Sequence, residues 1–465
     1  MASFRIEKDS LGEMKIPDTA DYGIHTARAV ENFPITGVLL NHYPELVQSL
    51  AMTKKAAALA NLELGALDPK IADAIMAACD QIIAGEGHEF FVVDMLQGGA
   101  GTSTNMNANE VIANMALRRI GKPRGDYASI NPNDHVNLSQ STNDVYPTAV
   151  RLTILRDCPS LLDSQIALKA AFLKKAAEFD HIIKVGRTQL MDAVPMRLGS
   201  EFRAFGVTVG EDVDRLKEFA NLLREVNLGG TAIGTGINTP GDYPATVIRH
   251  LSKVSGVDLV TAGDLIEATS DMGAFVTFSG VLKRIAVKLS KICNDLRLLN
   301  SGPRAGFGEI RLPSVQAGSS IMPGKVNPVV PEVVNQIAYQ VIGNDLTVTL
   351  AAEAGQLQLN AMEPVIVFNI LQSMRMLMRG MVTLREKCVL GIEADEERCR
   401  ELLDGSLVTV TALNPYIGYD EAARVAKIAL KTRRTIRDVA LSEGVMTEAQ
   451  LAEAFTTDNL LGVRR

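Results

Sequence analysis

Residues 272–299 read MGAFVTFSGVLKRIAVKLSKICNDLRLL, and their pattern predicts a helical fold. Its apolar side chains recur at alternating spacings of four and three residues, at Phe278, Leu282, Ile285, Leu289, Ile292, Leu296 and Leu299. Such a row lies on one face of an α-helix and is typical of a coiled-coil-like seam. Asp271, a residue type that caps helices, stands just before it. We therefore predict a long amphipathic helix over 272–299. One chain supplies few partners for so long a row, so we expect neighbouring subunits to cover it.

Helical periodicity dominates the rest of the chain, and strand patterns are sparse. Further long helices are predicted at about 145–176, 196–226, 331–351 and 363–391, which is enough for a bundle. Short helices with separate caps follow beyond about residue 395, where Thr447 and Gln450 form a capping-box pattern and Gly444 stops a helix. We predict a mainly α subunit of three domains: residues 1–140, a central helical bundle at 141–395, and a small helical domain at 396–465.

Composition narrows the class of protein. The 465 residues are 47% hydrophobic and carry a formal net charge of -7, without a long Lys/Arg block, which argues against a nucleic-acid partner. Five dispersed cysteines without Cys-x-x-Cys spacing suggest neither a disulfide framework nor a zinc site. The N-terminus has no apolar signal-like run, and no uncharged apolar stretch approaches bilayer length. We expect a cytoplasmic protein without a membrane partner.

A second stretch has the residue types of a ligand-binding loop: Gly318–Pro328 reads GSSIMPGKVNP. Gly318 and Gly324 allow any φ, and Pro323 and Pro328 prevent helix continuation, so the segment is predicted to be a loop that closes over a ligand. Its serines and Lys325 suit an anion.

Three other segments accompany this loop: GGAGTSTNMN at 98–107, NPNDHVN at 131–137 leading to QSTND at 140–144, and GRTQL at 186–190. Together the four resemble the signature segments of the aspartase/fumarase superfamily, and the similarity extends over nearly the whole chain. The resemblance implies a three-domain subunit whose bundles assemble into a homotetramer with a core of twenty helices.

Within the superfamily, three more runs are similar to the members that act on L-aspartate: Tyr22–Thr26, Gly229–Pro240 and Gly355–Asn360. The resemblance implies a carbon–nitrogen lyase that reversibly eliminates ammonia from L-aspartate to give fumarate, by Cβ proton abstraction through an aci-carboxylate. It implies no cofactor. Divalent cations often activate such members, but the motifs assign no residue to a metal.

The resemblance also assigns the candidate site residues. Short hydroxyls at Thr102, Ser141, Thr142 and Ser320 gather around the β-carboxylate, where neutral donors stabilise the developing double charge. Ser319 is the general base, although no His or Lys adjoins it in sequence, and sequence chemistry alone does not nominate it.

Lys325 and Asn327 are assigned to the α-carboxylate, for which a point charge and a planar amide are suited. Thr188 and Asn143 are assigned to the α-carboxylate and amino group. Gln189 and Met322 complete the substrate-binding set.

Gln189 helps to distinguish ammonia elimination from the fumarase reaction, because many superfamily members, fumarases among them, carry His at this position. Glutamine cannot transfer a proton, and ammonia needs less acid assistance as a leaving group than hydroxide, so Gln189 favours a C–N lyase. Some ammonia-lyases do carry His, so glutamine at this position favours a C–N lyase, whereas histidine would not exclude one. A class II fumarase and a catalytically silent helical assembly protein are the alternatives.

Two other groups are interpreted as structural. His135 stands among turn residues and is expected to be a hydrogen-bonded structural group. Asp395, Glu396 and Glu397 are consecutive, which scatters their carboxylates around a helix instead of focusing them on a metal.

Overall fold

The computed structural model describes residues 3–462, and α-helices dominate it. The helices are α1 (Ile24–Asn32), α2 (Pro44–Glu63), α3 (Pro69–Ile83), α4 (Thr102–Arg119), α5 (Thr142–Glu178), α6 (Leu198–Ala220), α7 (Tyr243–Ser255), α8 (Leu265–Ser270), α9 (Gly273–Leu299), α10 (Val329–Glu353), α11 (Glu363–Lys387), α12 (Glu396–Gly405), α13 (Asn414–Thr432), α14 (Ile436–Ser442), α15 (Glu448–Ala454) and α16 (Thr457–Leu460). The mainly α prediction is confirmed.

The described strands pair into small two-stranded sheets. They are β1 (Phe4–Asp9) with β2 (Gly12–Pro17), β3 (Ile183–Thr188) with β4 (Met191–Arg197), β5 (Glu225–Val226) with β6 (Val260–Thr261), and β7 (Ile310–Arg311) with β8 (Glu393–Ala394). The β5–β6 pair is parallel, and the other pairs are antiparallel.

Local sequence signals set the helix ends. The Asp271 carboxylate accepts a hydrogen bond from the Gly273 backbone N–H at 2.8 Å, which caps α9. Thr447 and Gln450 bond reciprocally at the start of α15, as the capping-box pattern predicts. Gly444 follows α14 with φ 67°, the left-handed conformation of a helix stop.

The long predicted helices are confirmed as α5, α6, α9, α10 and α11, but α6 ends at Ala220, and residues 225–226, predicted to be helical, form β5. The amphipathic repeat is a local property of sequence, which is why it locates these helices well.

The chain forms two compact units, and the division passes through those five long helices. The first unit consists of the described residues up to Leu162, Asp214–Arg284 and Tyr339–Leu377. In it, α2 packs against α3 and α7, and α4 packs against α1 and α3. The division into domains at 1–140, 141–395 and 396–465 stays a prediction.

The second unit consists of Asp163–Val213, Ile285–Ala338 and the described residues from Met378 on. Its C-terminal helices pack around an apolar cluster that includes Leu413, Val425, Val439 and Leu451. A smaller cluster, formed by Val185, Leu403 and Val408, lies under β3.

The row of apolar residues on α9 is buried within one chain. All seven side chains, Phe278 through Leu299, are at most 5% exposed. The expectation that neighbouring subunits cover this row is therefore wrong, because periodicity shows that a stripe is buried but not which chain buries it.

A different apolar stripe is exposed on α10. Tyr339, Leu346 and Leu350 are 60%, 60% and 61% exposed, and Ile342 between them is 36% exposed. Their spacings place them on one face of the helix.

The five cysteines are buried and unpaired, as packing residues are. The helix over Glu363–Gly391 is long and apolar enough to cross a membrane by length and composition, yet 56% of its most apolar window is buried inside the fold. Burial of this kind is typical of a core helix.

Candidate active site

Four of the predicted site residues lie in the first unit and seven in the second. In the first unit, Thr102 is the first residue of α4 and is exposed. Its hydroxyl donates to the Gly99 carbonyl at 2.7 Å. Gly101 before it has φ 90°, and a Cβ at this position would lie 2.5 Å from the Tyr146 ring. Only glycine fits there, so the Gly-rich run fixes where α4 begins.

Ser141, Thr142 and Asn143 form the start of α5. The Ser141 hydroxyl accepts from the Asn143 backbone N–H at 3.3 Å, and Asp144 accepts from the Ser141 N–H at 2.9 Å. Asp144 thus makes one of the two bonds of a capping box, while the Ser141 hydroxyl caps the second helical residue instead of the third. The Thr142 hydroxyl accepts from the Asn105 side-chain amide at 3.0 Å, which links the start of α5 to α4.

Asp144 also holds the loop that follows β5. Its second carboxylate oxygen accepts from the Gly229 and Thr231 backbone N–H groups, each at 3.0 Å. Burial raises the pKa of Asp144 to about 6, although these backbone hydrogen bonds favour the ionised form. The Asn143 amide donates to the Ala232 carbonyl of the same loop at 2.7 Å.

Lys54 is a buried cation behind this segment that sequence reasoning missed. Its ammonium donates to Asn137 Oδ1 at 2.8 Å and Gln140 Oε1 at 2.9 Å. Burial lowers the pKa of Lys54 to about 7. Asn105 joins this network through Asn137 at 3.2 Å. In the sequence, the only indication that Lys54 is buried is its place within the Ala-rich run of α2.

His135 bonds locally: its Nδ1 accepts from the Asn131 backbone N–H at 2.9 Å. Thr102 lines a cavity of about 130 Å³ together with His25, Arg28 and Asn32. The resemblance of Tyr22–Thr26 to the superfamily assigns no role to His25. Sequence spacing does not predict that His25 lies beside Thr102, because the two residues are distant along the chain.

In the second unit, Thr188 and Gln189 lie at the tip of the β3–β4 hairpin. Thr188 pairs with Met191, and the two residues between them, Gln189 and Leu190, have φ 54° and 62°. A two-residue turn with two positive φ angles suits the twist of antiparallel strands. The tip is exposed, and Leu190 and Met191 are 67% and 70% exposed.

Ser319, Ser320, Met322, Lys325 and Asn327 lie on the predicted loop. The loop closes on itself, because the Gly318 N–H donates to the Lys325 carbonyl at 2.9 Å and the Asn327 amide donates to the Gly318 carbonyl. Ser320, Met322 and Lys325 are exposed.

The Ser319 hydroxyl oxygen accepts two backbone hydrogen bonds, from Ile321 at 3.1 Å and Met322 at 2.9 Å. Two N–H groups aimed at one oxygen favour negative charge on it. Sequence inspection did not show this feature, because it arises from the turn of the loop.

A cavity of about 1120 Å³ in the second unit is bordered by Lys325 and Asn327. Arg297, Arg311 and Glu332 also line it. Lys325 has no ion-pair partner among residues 3–462, so its charge is available to a carboxylate ligand.

Asp395 has a structural role: its side chain accepts from the Arg398 backbone N–H at 3.0 Å and caps α12. Within residues 3–462, no group of three or more His, Cys, Asp or Glu side chains is arranged to hold a metal ion.

Comparison with known proteins places this geometry in a family. A family model described as lyase matches residues 12–343, and one described as fumarase C C-terminus matches residues 409–462. A curated relative from Pseudomonas fluorescens is 60% identical, covering 100% of this chain and 97% of the relative. The chain belongs to the aspartase/fumarase superfamily.

The superfamily relatives are similar over their full lengths. The Pseudomonas fluorescens protein and an Escherichia coli K12 protein, 53% identical over 99% of this chain and 96% of the relative, are both named aspartate ammonia-lyase. The crystal structure of a fumarate lyase:delta crystallin from Brucella melitensis bound to cobalt has 60% identity and a TM-score of 0.96, covering 100% of both chains. A class II fumarase from Schistosoma mansoni has 33% identity and a TM-score of 0.91, covering 98% of both chains.

Proposed function

We propose that this protein is an aspartate ammonia-lyase, which reversibly eliminates ammonia from L-aspartate to give fumarate. The observation that carries the proposal is 53–60% identity, over essentially the whole chain, to relatives with that name. The loop that bears Ser319 and Lys325 supports it, because it combines a hydroxyl oxygen in a nest of N–H groups with an unpaired cation.

Proton abstraction is assigned to Ser319. Its oxygen, as an alkoxide held by the Ile321 and Met322 N–H groups, takes the Cβ proton of the substrate. The electrons of the broken C–H bond delocalise into the β-carboxylate, which becomes a doubly charged aci-carboxylate. Hydroxyls from Thr102, Ser141, Thr142 and Ser320, on segments that the family draws from different subunits, are assigned to donate to it without adding negative charge; the Thr102 hydroxyl turns from the Gly99 carbonyl to do so.

The carbon–nitrogen bond then breaks. The electrons of the aci-carboxylate form the double bond of fumarate, and the bond pair leaves with nitrogen, so the substrate ammonium departs as neutral ammonia. Lys325 and Asn327 hold the α-carboxylate, while Thr188 and Asn143 contact the α-carboxylate and amino group. Met322 and Gln189 border the substrate.

Gln189 argues for this reaction over the fumarase alternative. Its amide cannot protonate a departing hydroxide, whereas ammonia leaves without a general acid. The test is to incubate purified protein with L-aspartate and, separately, with L-malate, and to follow fumarate by ultraviolet absorbance. Turnover of L-aspartate far above that of L-malate is expected. Comparable kcat/KM values contradict the assignment, and turnover of neither substrate favours the silent assembly protein.

The assembly is proposed to be a homotetramer. The exposed stripe of α10, defined by Tyr339, Ile342, Leu346 and Leu350, supports a partner, because soluble monomers rarely expose a continuous apolar face. Size-exclusion chromatography with light scattering tests it: a tetramer mass is expected, and a fully active monomer contradicts the assembly.

Two further expectations complete the proposal. The protein works in the cytoplasm, without membrane or nucleic-acid partners. The reaction needs no cofactor, and any stimulation by a divalent cation is measured by comparing turnover with a chelator and with added Mg²⁺.

A further inference from the structure

A cluster of buried charges lies below the tip of the β3–β4 hairpin. The Glu309 carboxylate is 0% exposed, and its two oxygens meet two cations: Lys184 Nζ at 2.7 Å and Arg187 Nη1 at 2.8 Å. The Lys184 side chain is 2% exposed and that of Arg187 is 11% exposed. Lys184 also contacts Glu201 on α6 at 2.6 Å.

The cluster joins β3 to the segment between α9 and β7. Both cations belong to β3, whereas Glu309 directly precedes β7. The backbone of Glu309 is itself fixed, because its N–H donates to the Leu299 carbonyl at 3.0 Å and its carbonyl accepts from the Asp395 N–H at 2.9 Å. Its carboxylate is therefore a fixed anchor for the hairpin.

Arg187 is held on three sides. Besides Glu309, it contacts the Val185 carbonyl at 3.3 Å, and its guanidinium stacks 4.1 Å from the centroid of the Phe307 ring. The β3–β4 register shifts between Val185 and Arg187, and a Cβ at Gly186 would lie 2.7 Å from the Val194 carbonyl. This bulge turns the strand just before the tip.

Thr188 follows Arg187 directly, and successive side chains of a strand point to opposite faces. Because the Arg187 side chain is held below the strand, the neighbouring backbone of Thr188 is fixed. The Thr188 side chain points to the other face and remains exposed. Such a geometry suits a residue that must meet a ligand at a defined place.

We infer that Glu309 is a positioning residue, which acts through Arg187 and Lys184 to set the place of Thr188 at the hairpin tip. The inference rests on the proposed function for the role of Thr188. Removing the carboxylate leaves Arg187 without its counter-charge and leaves Lys184 with Glu201 alone, so the strand must move to hydrate the Arg187 guanidinium.

The test compares Glu309→Gln with Glu393→Gln, the same change at an exposed carboxylate on β8 whose nearest cation, Arg311, is 3.9 Å away. Amide hydrogen exchange of the 183–197 peptide is measured in the full-length protein. Glu309→Gln is expected to speed exchange at residues 188–192 at least about tenfold, with no change in Glu393→Gln. Equal exchange in the two variants overturns the inference.

Turnover supplies the second readout. Glu309→Gln is expected to lower kcat/KM for L-aspartate by roughly 10- to 100-fold, and to add little when Thr188→Ala is already present. Additive losses in the double variant assign Glu309 a structural role only and overturn the inference.

Phe307→Leu provides a milder variant that retains every ion pair and removes only the ring beneath Arg187. If Glu309→Gln does not fold, Phe307→Leu is expected to give a smaller loss with the same non-additivity toward Thr188→Ala. If wild type does not turn over L-aspartate, the proposed function fails, and the exchange comparison still decides whether the cluster positions the tip.

Discussion

Gly318→Ala is a sharp test of the closed loop. A Cβ at residue 318 would lie 2.5 Å from the Lys325 carbonyl oxygen, 2.7 Å from the Asn327 nitrogen and 2.8 Å from Val326 Cα. Ordinary contacts of this kind begin at 3.4 Å, so the backbone at Lys325–Asn327 must move by about 1 Å. That movement also breaks the bond from the Gly318 N–H to the Lys325 carbonyl.

The expected loss follows from this displacement. A misplacement of about 1 Å costs on the order of 100-fold in rate, or about 2.7 kcal/mol of transition-state stabilisation. In the proposed mechanism Lys325 and Asn327 hold the α-carboxylate and Ser319 takes the proton, so moving one relative to the other should lower kcat as well as raise KM.

The assay is fumarate formation from L-aspartate, with circular dichroism and light scattering to verify fold and mass. Gly280→Ala on α9 is the matched control, since nothing lies within 4 Å of a Cβ at that position. The control should keep wild-type kcat/KM and gain up to about 1 kcal/mol of stability. Wild-type kcat/KM in Gly318→Ala refutes the closed-loop geometry.

Four other changes test separate parts of the structure. Ser319→Ala should retain fold and L-aspartate binding but lose nearly all turnover, and robust turnover would identify another base. Lys325→Ala should cost about 2–4 kcal/mol in kcat/KM, and an unchanged value contradicts the proposed contact of Lys325 with the α-carboxylate. Burial raises the pKa of Glu363 from 4.5 to about 8, so its stabilising protonated form is complete below pH 4.5 and is lost as pH rises through 8. The folded and unfolded states differ in bound protons only between these two pKa values, so the Tm should fall more steeply between about pH 5 and about pH 8 in wild type than in Glu363→Gln; parallel Tm curves contradict this. Leu346→Glu should dissociate the proposed tetramer while keeping helix content, and an unchanged mass by light scattering contradicts the proposed α10 interface.

The helices were predictable because their signals are local. The α9 repeat, the Asp271 cap and the Thr447–Gln450 capping box each lie within a few residues of the feature that they determine. The site loop was predictable for the same reason, since its Gly and Pro residues limit the backbone wherever the loop lies.

The networks behind the site were not predictable, because their partners are distant in sequence. Lys54 bonds to Asn137 across 83 residues, and Arg187 bonds to Glu309 across 122. In a sequence, a buried lysine looks like any helical lysine, and only packing reveals that its charge must be matched. The role assigned to Ser319 came from family resemblance, and its two N–H donors became visible only in the structure.

The hairpin tip shows what local rules leave open. A two-residue turn with positive φ is usually built from Asn-Gly or Gly-containing pairs, yet here Gln189 and Leu190 occupy both positions. Each left-handed non-glycine residue costs about 1–2 kcal/mol, which glycine would remove. Glycine would also remove the amide and the apolar side chain that this exposed tip presents. The chain therefore retains two strained residues at the point where it presents Thr188, and the Glu309 cluster below supplies the rigidity that keeps the strained turn in place.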